Sequence, residues 1–301
     1  MVIAPARARR PGADRPAAEE RDDVAGCPFC EGREGATPPE TFALGPPGRP
    51  ADAPGWRVRV VPNKFPAFGP WSGEGDKSGL FARRAARGRQ EVVVHSPRHV
   101  GTLADLSLRE LENVAEAWQA RADAAREEGF AYVHALVNEG RAAGASIQHS
   151  HSQLVWLEDE PPLVEQERRA QEAESGCILC RVLADELRHR IRVVAERDGL
   201  VLLCPFAGRQ PYELLVAPRE CEGDPFTSRD LGGALGLVAE GIRRLRIAEG
   251  PTPVNIWLHA VGHWHIEVLP RVSIFAGIEL GAGYFVNTLA PESAAGVLRE
   301  S

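Results

Sequence analysis

The sequence has no uninterrupted apolar run of about 20 residues, the length that a membrane-spanning helix requires, so we expect no transmembrane segment. Residues 1–26 contain arginines and several acids but no apolar core. They therefore resemble neither a secretory signal nor a transit peptide, and we expect a cytoplasmic protein. An excess of positive charge is also missing. The net charge of −7 gives no support for a nucleic-acid-binding protein.

The composition is that of an ordinary globular chain. Hydrophobic residues make up 44% and charged residues 26%, which is typical of a protein with a sizeable core and excludes a wholly disordered one. The 301 residues suit two domains of about 150 residues each. An acidic, proline-containing stretch at 157–176 is typical of a connector, so we place one domain at 1–160 and another at 161–301.

The same landmarks occur in the same order in both halves of the chain. Each half has a C-x-x-C pair, strands, a Pro-Arg motif, one long helix and an H-x-H motif on its last strand. This matching order of landmarks indicates an internal duplication of an α+β unit. The predicted strands lie at 56–65, 90–96, 131–138, 149–157, 191–197, 200–205, 212–217, 254–259 and 264–270, and the predicted helices at 106–128, 179–189 and 228–247.

Two sets of four residues have the composition of a structural zinc site, which takes cysteine thiolates and histidine imidazoles in a tetrahedron. They are Cys27, Cys30, His99 and His149 in the first half, and Cys177, Cys180, Cys221 and His263 in the second. We expect zinc at the first site and a metal ion at the second, both stabilising, because four protein ligands leave no position for a substrate. The alternative is two clusters of buried, reduced cysteines. Cys204 belongs to neither set and is expected in the core.

Chemically active residues are densest at 138–153. Side chains of a strand alternate between its two faces, so His149, His151 and Gln153 are expected on one face. If His149 binds zinc, His151 is a neutral imidazole available as a nucleophile or base. Gln153 and Ser146 could then donate hydrogen bonds to phosphoryl oxygens. The alternative is three metal ligands without catalysis, which Gln153 disfavours because an amide is a poor zinc ligand.

The second half repeats the H-x-H pair without its surroundings. His263, His265 and Glu267 are expected on one face, but no glutamine and no glycine-rich approach accompany them. We therefore expect one catalytic half and one half that retains only the metal.

These motifs resemble those of the galactose-1-phosphate uridylyltransferase (GalT) family, the transferase branch of the histidine-triad (HIT) superfamily. They are especially similar to the GalT-like members that include ADP-glucose phosphorylases. The resemblance covers nearly the whole chain, and its most specific part is the H-x-H-x-Q motif with its lead-in. It implies an α+β fold of two tandem HIT-like domains, each an antiparallel sheet packed with helices. The matching segments are 3–11, 27–40, 60–67, 95–99, 138–153 and 277–287.

The resemblance implies a ping-pong nucleotidyl transfer. His151 matches the nucleophile that attacks the α-phosphorus of a nucleotide sugar and carries the nucleoside monophosphate to a second phosphate acceptor. Gln153 and Ser146 match residues that contact the phosphates. Members are typically homodimers whose active sites borrow residues across the interface, so a homodimer is implied. Further matches are Arg7 and Arg10 to phosphate-binding arginines, Asn63 and Asn138 to nucleotide contacts, Glu279 to a hexose-binding carboxylate, and His263 and His265 to metal-site histidines.

The first hypothesis is therefore a UDP-glucose:hexose-1-phosphate (galactose-1-phosphate) uridylyltransferase of galactose metabolism. Some positions differ from those of the familiar uridylyltransferases and resemble those of the GalT-like branch, namely Lys64, the serines beside His151, and Ile278. They leave open which base and which sugar the nucleotide sugar carries. An ADP-glucose phosphorylase, with phosphate as acceptor, is thus the alternative.

Two further hypotheses come from other classes. One is a HIT-type nucleotide hydrolase, which Gln153 disfavours because glutamine cannot supply the acid that speeds hydrolysis. The other is a non-catalytic, zinc-stabilised nucleotide-binding protein. The expected partners are a nucleotide sugar and a sugar 1-phosphate or phosphate, with no nucleic acid and no membrane.

Overall fold

A computed structural model of the chain describes residues 24–71, 75 and 80–301. Within these residues the fold has ten β-strands and six α-helices. The strands are β1 (Phe42–Leu44), β2 (Val58–Pro62), β3 (Gly88–Val94), β4 (Tyr132–Glu139), β5 (His151–Leu157), β6 (Val193–Arg197), β7 (Leu200–Leu203), β8 (Leu214–Pro218), β9 (Val254–His259) and β10 (His265–Pro270). The helices are α1 (Leu108–Glu127), α2 (Pro162–Glu172), α3 (Ile178–His189), α4 (Leu231–Glu249), α5 (Gly277–Ala282) and α6 (Pro291–Glu300).

The described strands form one antiparallel sheet in the order β1-β2-β3-β5-β4-β9-β10-β8-β7-β6. The α+β class is confirmed, but the expectation of a separate sheet in each half is wrong, because β4 pairs with β9 across the middle. The register of that pairing runs from Leu136 opposite Trp257 to Glu139 opposite Val254. Without this pairing, β4 and β9 would each be an edge strand with unpaired backbone groups.

Both halves arrange their five strands in the same relative order, β1-β2-β3-β5-β4 in the first and β6-β7-β8-β10-β9 in the second. The internal duplication and the division into residues 1–160 and 161–301 stay predictions, since strand order does not by itself establish common descent.

The long helices α1 and α4 cover one face of the sheet and enclose the main apolar core. Helix α1 begins at a capping box, in which Ser107 and Glu110 bond each other's backbone amides, and buries Trp118 against the sheet. The indole of Trp118 donates a hydrogen bond to Ser152 Oγ at 2.8 Å. The two helices approach closely at Gly232, where a Cβ atom would lie 3.3 Å from Glu112 Cα.

Alternation along strand β5 directs the predicted site residues away from these helices. Ser152, Leu154 and Trp156 point into the helix-covered core, so the alternating residues His151 and Gln153 point to the opposite face.

Several elements depart from the sequence-based expectation. The 157–176 connector contains α2, which begins with Pro162 at its first turn and buries only Val164, against Tyr132 and Val261. Strand β1 and helices α5 and α6 were not predicted. The core position of Cys204 is confirmed, because only 1% of the residue is exposed. Among the described residues, no helix is long and apolar enough to cross a membrane.

Candidate active site and metal-ligand clusters

Cys27, Cys30, His99 and His149 come together at one end of the sheet, with their ligand atoms all within 4.8 Å of one another. Cys27 Sγ lies 3.4 Å from His149 Nδ1, and Cys30 Sγ lies 3.3 Å from His99 Nδ1. Two thiols and two imidazoles at such separations fit the tetrahedral ligand set of a structural metal site. The cluster could therefore hold a metal ion.

A hydrogen bond to the backbone orients the ring of His149. Its Nε2 atom lies 2.8 Å from the carbonyl oxygen of Ser96. A carbonyl oxygen can only accept, so Nε2 carries the hydrogen and Nδ1 presents its lone pair to the thiols of Cys27 and Cys30. A second hydrogen-bonded partner of this kind is what orients histidine ligands in metal proteins.

Cys177, Cys180, Cys221 and His263 form a second cluster, again with ligand atoms within 4.8 Å of one another. His263 Nδ1 lies 3.4 Å from the Sγ atoms of both Cys177 and Cys180, while its Nε2 lies 2.8 Å from the carbonyl oxygen of Pro218. The tautomer is thus fixed as in the first cluster. No disulfide joins any of the six cysteines, all of which lie in the described part of the chain.

The thiols of the second cluster influence one another. Burial raises the pKa of Cys180, and hydrogen bonds and charge from Cys177 and Cys221 raise it further. Burial also opposes ionisation of Cys177, but hydrogen bonds from Cys180 and Gln171 lower the pKa of its thiol below the ordinary range. Several thiolates this close together repel one another, and a bound cation would relieve that repulsion.

His151 is buried on the face of the sheet opposite α1 and α4, next to the first cluster. Its Nδ1 atom lies 2.6 Å from the carbonyl oxygen of His149, so Nδ1–H donates and Nε2 is left with a free lone pair. Burial lowers the pKa of His151, although the hydrogen bond to His149 opposes that effect. The ring is therefore held as a neutral imidazole, the form that acts as a nucleophile.

Gln153 lies on the same face and is held by two other amides. Its Oε1 atom accepts from Gln90 Nε2 at 2.6 Å and from Asn63 Nδ2 at 3.2 Å. The structure thus brings Asn63 and Gln153 together. Sequence reasoning missed Gln90, although the alternation along β3 could have placed it on the same face as Val92.

The remaining predicted site residues are more dispersed. Asn138, near the end of β4, accepts a hydrogen bond from Asn255 at 2.8 Å, and Ser146 lies half-buried in the turn between β4 and β5. Glu279 lies on α5 and accepts from the backbone amide of Ala276 at 2.8 Å, so in this chain it caps its own helix. The predicted phosphate-binding residues Arg7 and Arg10 lie outside the described residues.

A third cluster, which sequence reasoning missed, consists of Glu167, His259 and His265. Glu167 reaches it from α2, and its Oε2 lies 2.9 Å from His259 Nδ1. Beside them, burial of Glu267 opposes its ionisation, but a hydrogen bond from His265 and the charge of Arg209 lower its pKa to about 2. A carboxylate and two imidazoles could hold a metal ion. Without α2 in the prediction, nothing connected Glu167 with the histidines.

Comparison with known proteins places these features in context. Residues 57–162 match the family described as "Galactose-1-phosphate uridyl transferase, N-terminal domain", and residues 119–299 match a domain of unknown function, DUF4921. An ADP-glucose phosphorylase of Arabidopsis thaliana is 28% identical, covering 100% of this chain and 89% of its own. A galactose-1-phosphate uridylyltransferase of Thermotoga maritima is 27% identical, covering 75% of this chain and 78% of its own.

Solved structures give the same picture. The crystal structure of an ADP-glucose phosphorylase from Arabidopsis thaliana with bound ADP-glucose superimposes with a TM-score of 0.77 at 26% identity, covering 96% of this chain and 93% of that one. A uridylyltransferase structure superimposes with a TM-score of 0.78 at 26% identity, covering 95% of this chain and 93% of that one.

Proposed function

The chain belongs to the galactose-1-phosphate uridylyltransferase family and, over residues 119–299, to the DUF4921 domain family, and we propose that it transfers a nucleotidyl group from a nucleotide sugar through His151. The observation that carries this proposal is the fixed tautomer of His151. With Nδ1–H donated to the His149 carbonyl, the lone pair of Nε2 is available to attack phosphorus.

In the first step, Nε2 of His151 forms a bond to the α-phosphorus, and the bond from that phosphorus to the bridging oxygen breaks. The sugar 1-phosphate leaves with the bond's electron pair. In the second step, a phosphate oxygen of the acceptor attacks the same phosphorus, and the phosphorus–nitrogen bond breaks. The Gln153 amide and the Ser146 hydroxyl would donate hydrogen bonds to the phosphoryl oxygens, whose charge increases as the bonds change.

The two cysteine–histidine clusters would hold structural zinc, since each has four ligands and no position for a substrate. Zinc at Cys27, Cys30, His99 and His149 would anchor the backbone of His149, whose carbonyl orients His151. The metal takes no part in either chemical step. With cysteines kept reduced for metal binding, we place the protein in the cytoplasm.

Two donor–acceptor pairs are consistent with this site. The first is UDP-glucose with galactose 1-phosphate, which is favoured by the names of the Thermotoga maritima relative and of the family that matches residues 57–162. The second is ADP-glucose with inorganic phosphate, favoured by the relative whose alignment covers 100% of this chain. Hydrolysis is disfavoured, because Gln153 supplies no acidic group.

The test is intact-protein mass spectrometry after separate incubations with UDP-glucose and ADP-glucose, without an acceptor. An acid-labile adduct of UMP or AMP establishes the covalent step and identifies the base. His151→Gln is expected to abolish the adduct while retaining bound metal. The counterpart variant His265→Gln is expected to keep forming it, because Glu267 stands where Gln153 stands in the first half and would repel a phosphate. No adduct with either donor overturns the proposal.

The acceptor is identified in a second experiment on the isolated adduct. Release of ADP on addition of inorganic phosphate indicates a phosphorylase. Release of UDP-galactose on addition of galactose 1-phosphate indicates a hexose-1-phosphate uridylyltransferase. Loss of the adduct in buffer alone, at the same rate, indicates the hydrolase.

We also propose that the protein is a homodimer. The segment 272–286, which carries Glu279, exposes several large apolar side chains, including Ile274 at 88%, Leu280 at 78% and Tyr284 at 72%. Such a group of exposed apolar side chains is typical of a surface that a partner covers. Glu279, which makes its hydrogen bond within its own helix, would serve the active site of the second copy.

A further inference from the structure

The orientation of the Gln153 amide can be traced to two backbone amides. The first is that of Ala67, which donates to Gln90 Oε1 at 2.7 Å. A backbone N–H can only donate, so the accepting atom of Gln90 is its oxygen, and its NH₂ group lies on the other side. That NH₂ group donates to Gln153 Oε1 at 2.6 Å.

The second backbone amide is that of Phe65, which donates to Asn63 Oδ1 at 2.9 Å. By the same reasoning the NH₂ group of Asn63 points the other way, and it donates to Gln153 Oε1 at 3.2 Å. Two independent relays therefore end on one oxygen atom and occupy both of its lone pairs. The NH₂ group of Gln153 is left to point outward from them.

The geometry of the sheet puts this relay beside the nucleophile. In the register of β3 and β5, Val92 is opposite Gln153 and Val94 is opposite His151. Gln90 lies two residues before Val92 on the same face. Because only 6% of it is exposed, we expect it to influence a substrate through its contact with Gln153 and not directly.

We propose that Gln90 is a positioning residue for nucleotidyl transfer, which holds the Gln153 amide with its NH₂ group toward the phosphoryl oxygens. This inference rests on the proposed function. If the Gln153 amide turned over, its oxygen would face the phosphate oxygens and repel them instead of donating. Since the two orientations of a terminal amide are similar in shape, only the relay selects between them.

Two substitutions of similar size separate this role from space filling. Gln90→Met removes one relay and leaves Asn63 in place. Gln90→Glu keeps an acceptor for the Ala67 amide, so the 63–69 segment should fold, but it offers Gln153 an acceptor in place of a donor. That change attracts the NH₂ group of Gln153 and turns the amide over. We expect single-turnover adduct formation to slow slightly in Gln90→Met and about tenfold or more in Gln90→Glu.

A double-mutant cycle with Gln153→Met tests whether Gln90 acts only through Gln153. Gln153→Met alone should slow adduct formation about 100-fold. The double variants Gln90→Met/Gln153→Met and Gln90→Glu/Gln153→Met should be no slower than that. The loss should fall on the rate constant more than on the donor Kd, because the hydrogen bonds strengthen as charge develops. The control is Gln119→Met, which removes an amide that donates to the Ser228 carbonyl and should keep the wild-type rate.

The outcomes distinguish failure of the positioning role from failure of the proposed function. If Gln90→Glu forms the adduct at the wild-type rate, or if its loss multiplies with that of Gln153→Met, the positioning role is wrong while the proposed function stands. If wild-type protein forms no adduct with UDP-glucose or ADP-glucose, the proposed function fails and this inference fails with it.

Discussion

The carbonyl oxygen of Ser96 lies 2.8 Å from His149 Nε2, on the side of the ring opposite the thiols of Cys27 and Cys30. Pro218 and His263 have the same relationship at 2.8 Å in the second half. Each cluster therefore receives a histidine whose tautomer the backbone has already set, although one cluster has two cysteines and the other three. A site arranged this way loses little free energy in orienting its ligands when the ion binds.

Loss of one thiol should remove one metal ion from each chain. We expect Cys30→Ala to lose the ion of the first cluster and Cys177→Ala that of the second, each measured as one ion fewer per chain by elemental mass spectrometry. Both variants should also unfold at lower temperature, because a structural metal binds only the folded chain. Cys204→Ala, which removes a buried thiol outside both clusters, should keep the full metal content. Unchanged metal content in Cys30→Ala would contradict the assignment.

The buried pair of Arg121 and Glu91 should contribute strongly to stability. Arg121 Nε and Nη2 bind the two oxygens of Glu91 at 2.8 and 3.0 Å, and the Glu91 side chain is fully buried. Arg121→Met would leave that carboxylate without its countercharge, which typically costs about 3–5 kcal/mol. In Arg109→Met, the exposed pair with Glu112 is lost, and the cost should be about 1 kcal/mol or less. Chemical denaturation measures both, and equal costs would contradict the prediction.

Glu139 should make stability depend on pH between about 4.5 and 7. Burial raises its pKa from 4.5 to about 7, although Leu103 N–H and the Thr102 hydroxyl each donate to it at 2.6 Å. Between these values the folded chain keeps a proton that the unfolded chain releases, so this carboxyl's contribution to stability falls as pH rises. The total loss is about 3 kcal/mol by pH 7.

Glu139→Gln removes that titration. Relative to wild type, the variant should gain free energy of unfolding steadily from pH 4.5 to 7 and no further above about pH 7.5. The control is Glu116→Gln, on the exposed face of α1, where the carboxyl is in water in both states. Denaturation curves at a series of pH values measure both, and a constant difference for Glu139→Gln across the range would show that the buried carboxyl is ionised throughout.

What could be predicted from the sequence was local or repeated. The H-x-H motifs and their C-x-x-C partners led to two clusters whose members the structure does bring together, because each residue type is rare and the order recurs. Period-two alternation placed His151 and Gln153 on one face. Helices α1 and α4 are long enough for their apolar periodicity to be read directly.

The rest depends on pairings between distant parts of the chain. Gln90 reaches Gln153 only because of the register of β3 against β5, which alternation alone does not specify. The union of the two halves in one sheet depends on β4 meeting β9 at their edges. Helix α2 has a single buried residue, Val164, so it carries almost no apolar periodicity, and the Glu167 cluster could not be predicted without it.

The proposed dimer leads to a prediction about its interface. Leu280→Glu, on α5, should weaken self-association, because a charge would replace an apolar side chain on the surface that the partner covers. Ile247→Glu, on α4, changes a side chain of similar exposure, 70%, outside segment 272–286, and should leave association unchanged. Sedimentation equilibrium measures both. A monomeric wild-type chain, or equal effects of the two substitutions, would contradict the prediction.

Mixing two inactive variants tests whether Glu279 serves the partner's site. His151→Gln lacks the proposed nucleophile and Glu279→Gln lacks the proposed sugar-binding carboxylate, so each homodimer should have very low turnover. In a mixed dimer, one of the two sites combines the intact His151 of one chain with the intact Glu279 of the other. After equal mixing and subunit exchange, about a quarter of all sites should be intact, restoring that fraction of wild-type turnover. If mixed dimers form and turnover is not restored, Glu279 serves the site of its own chain or none.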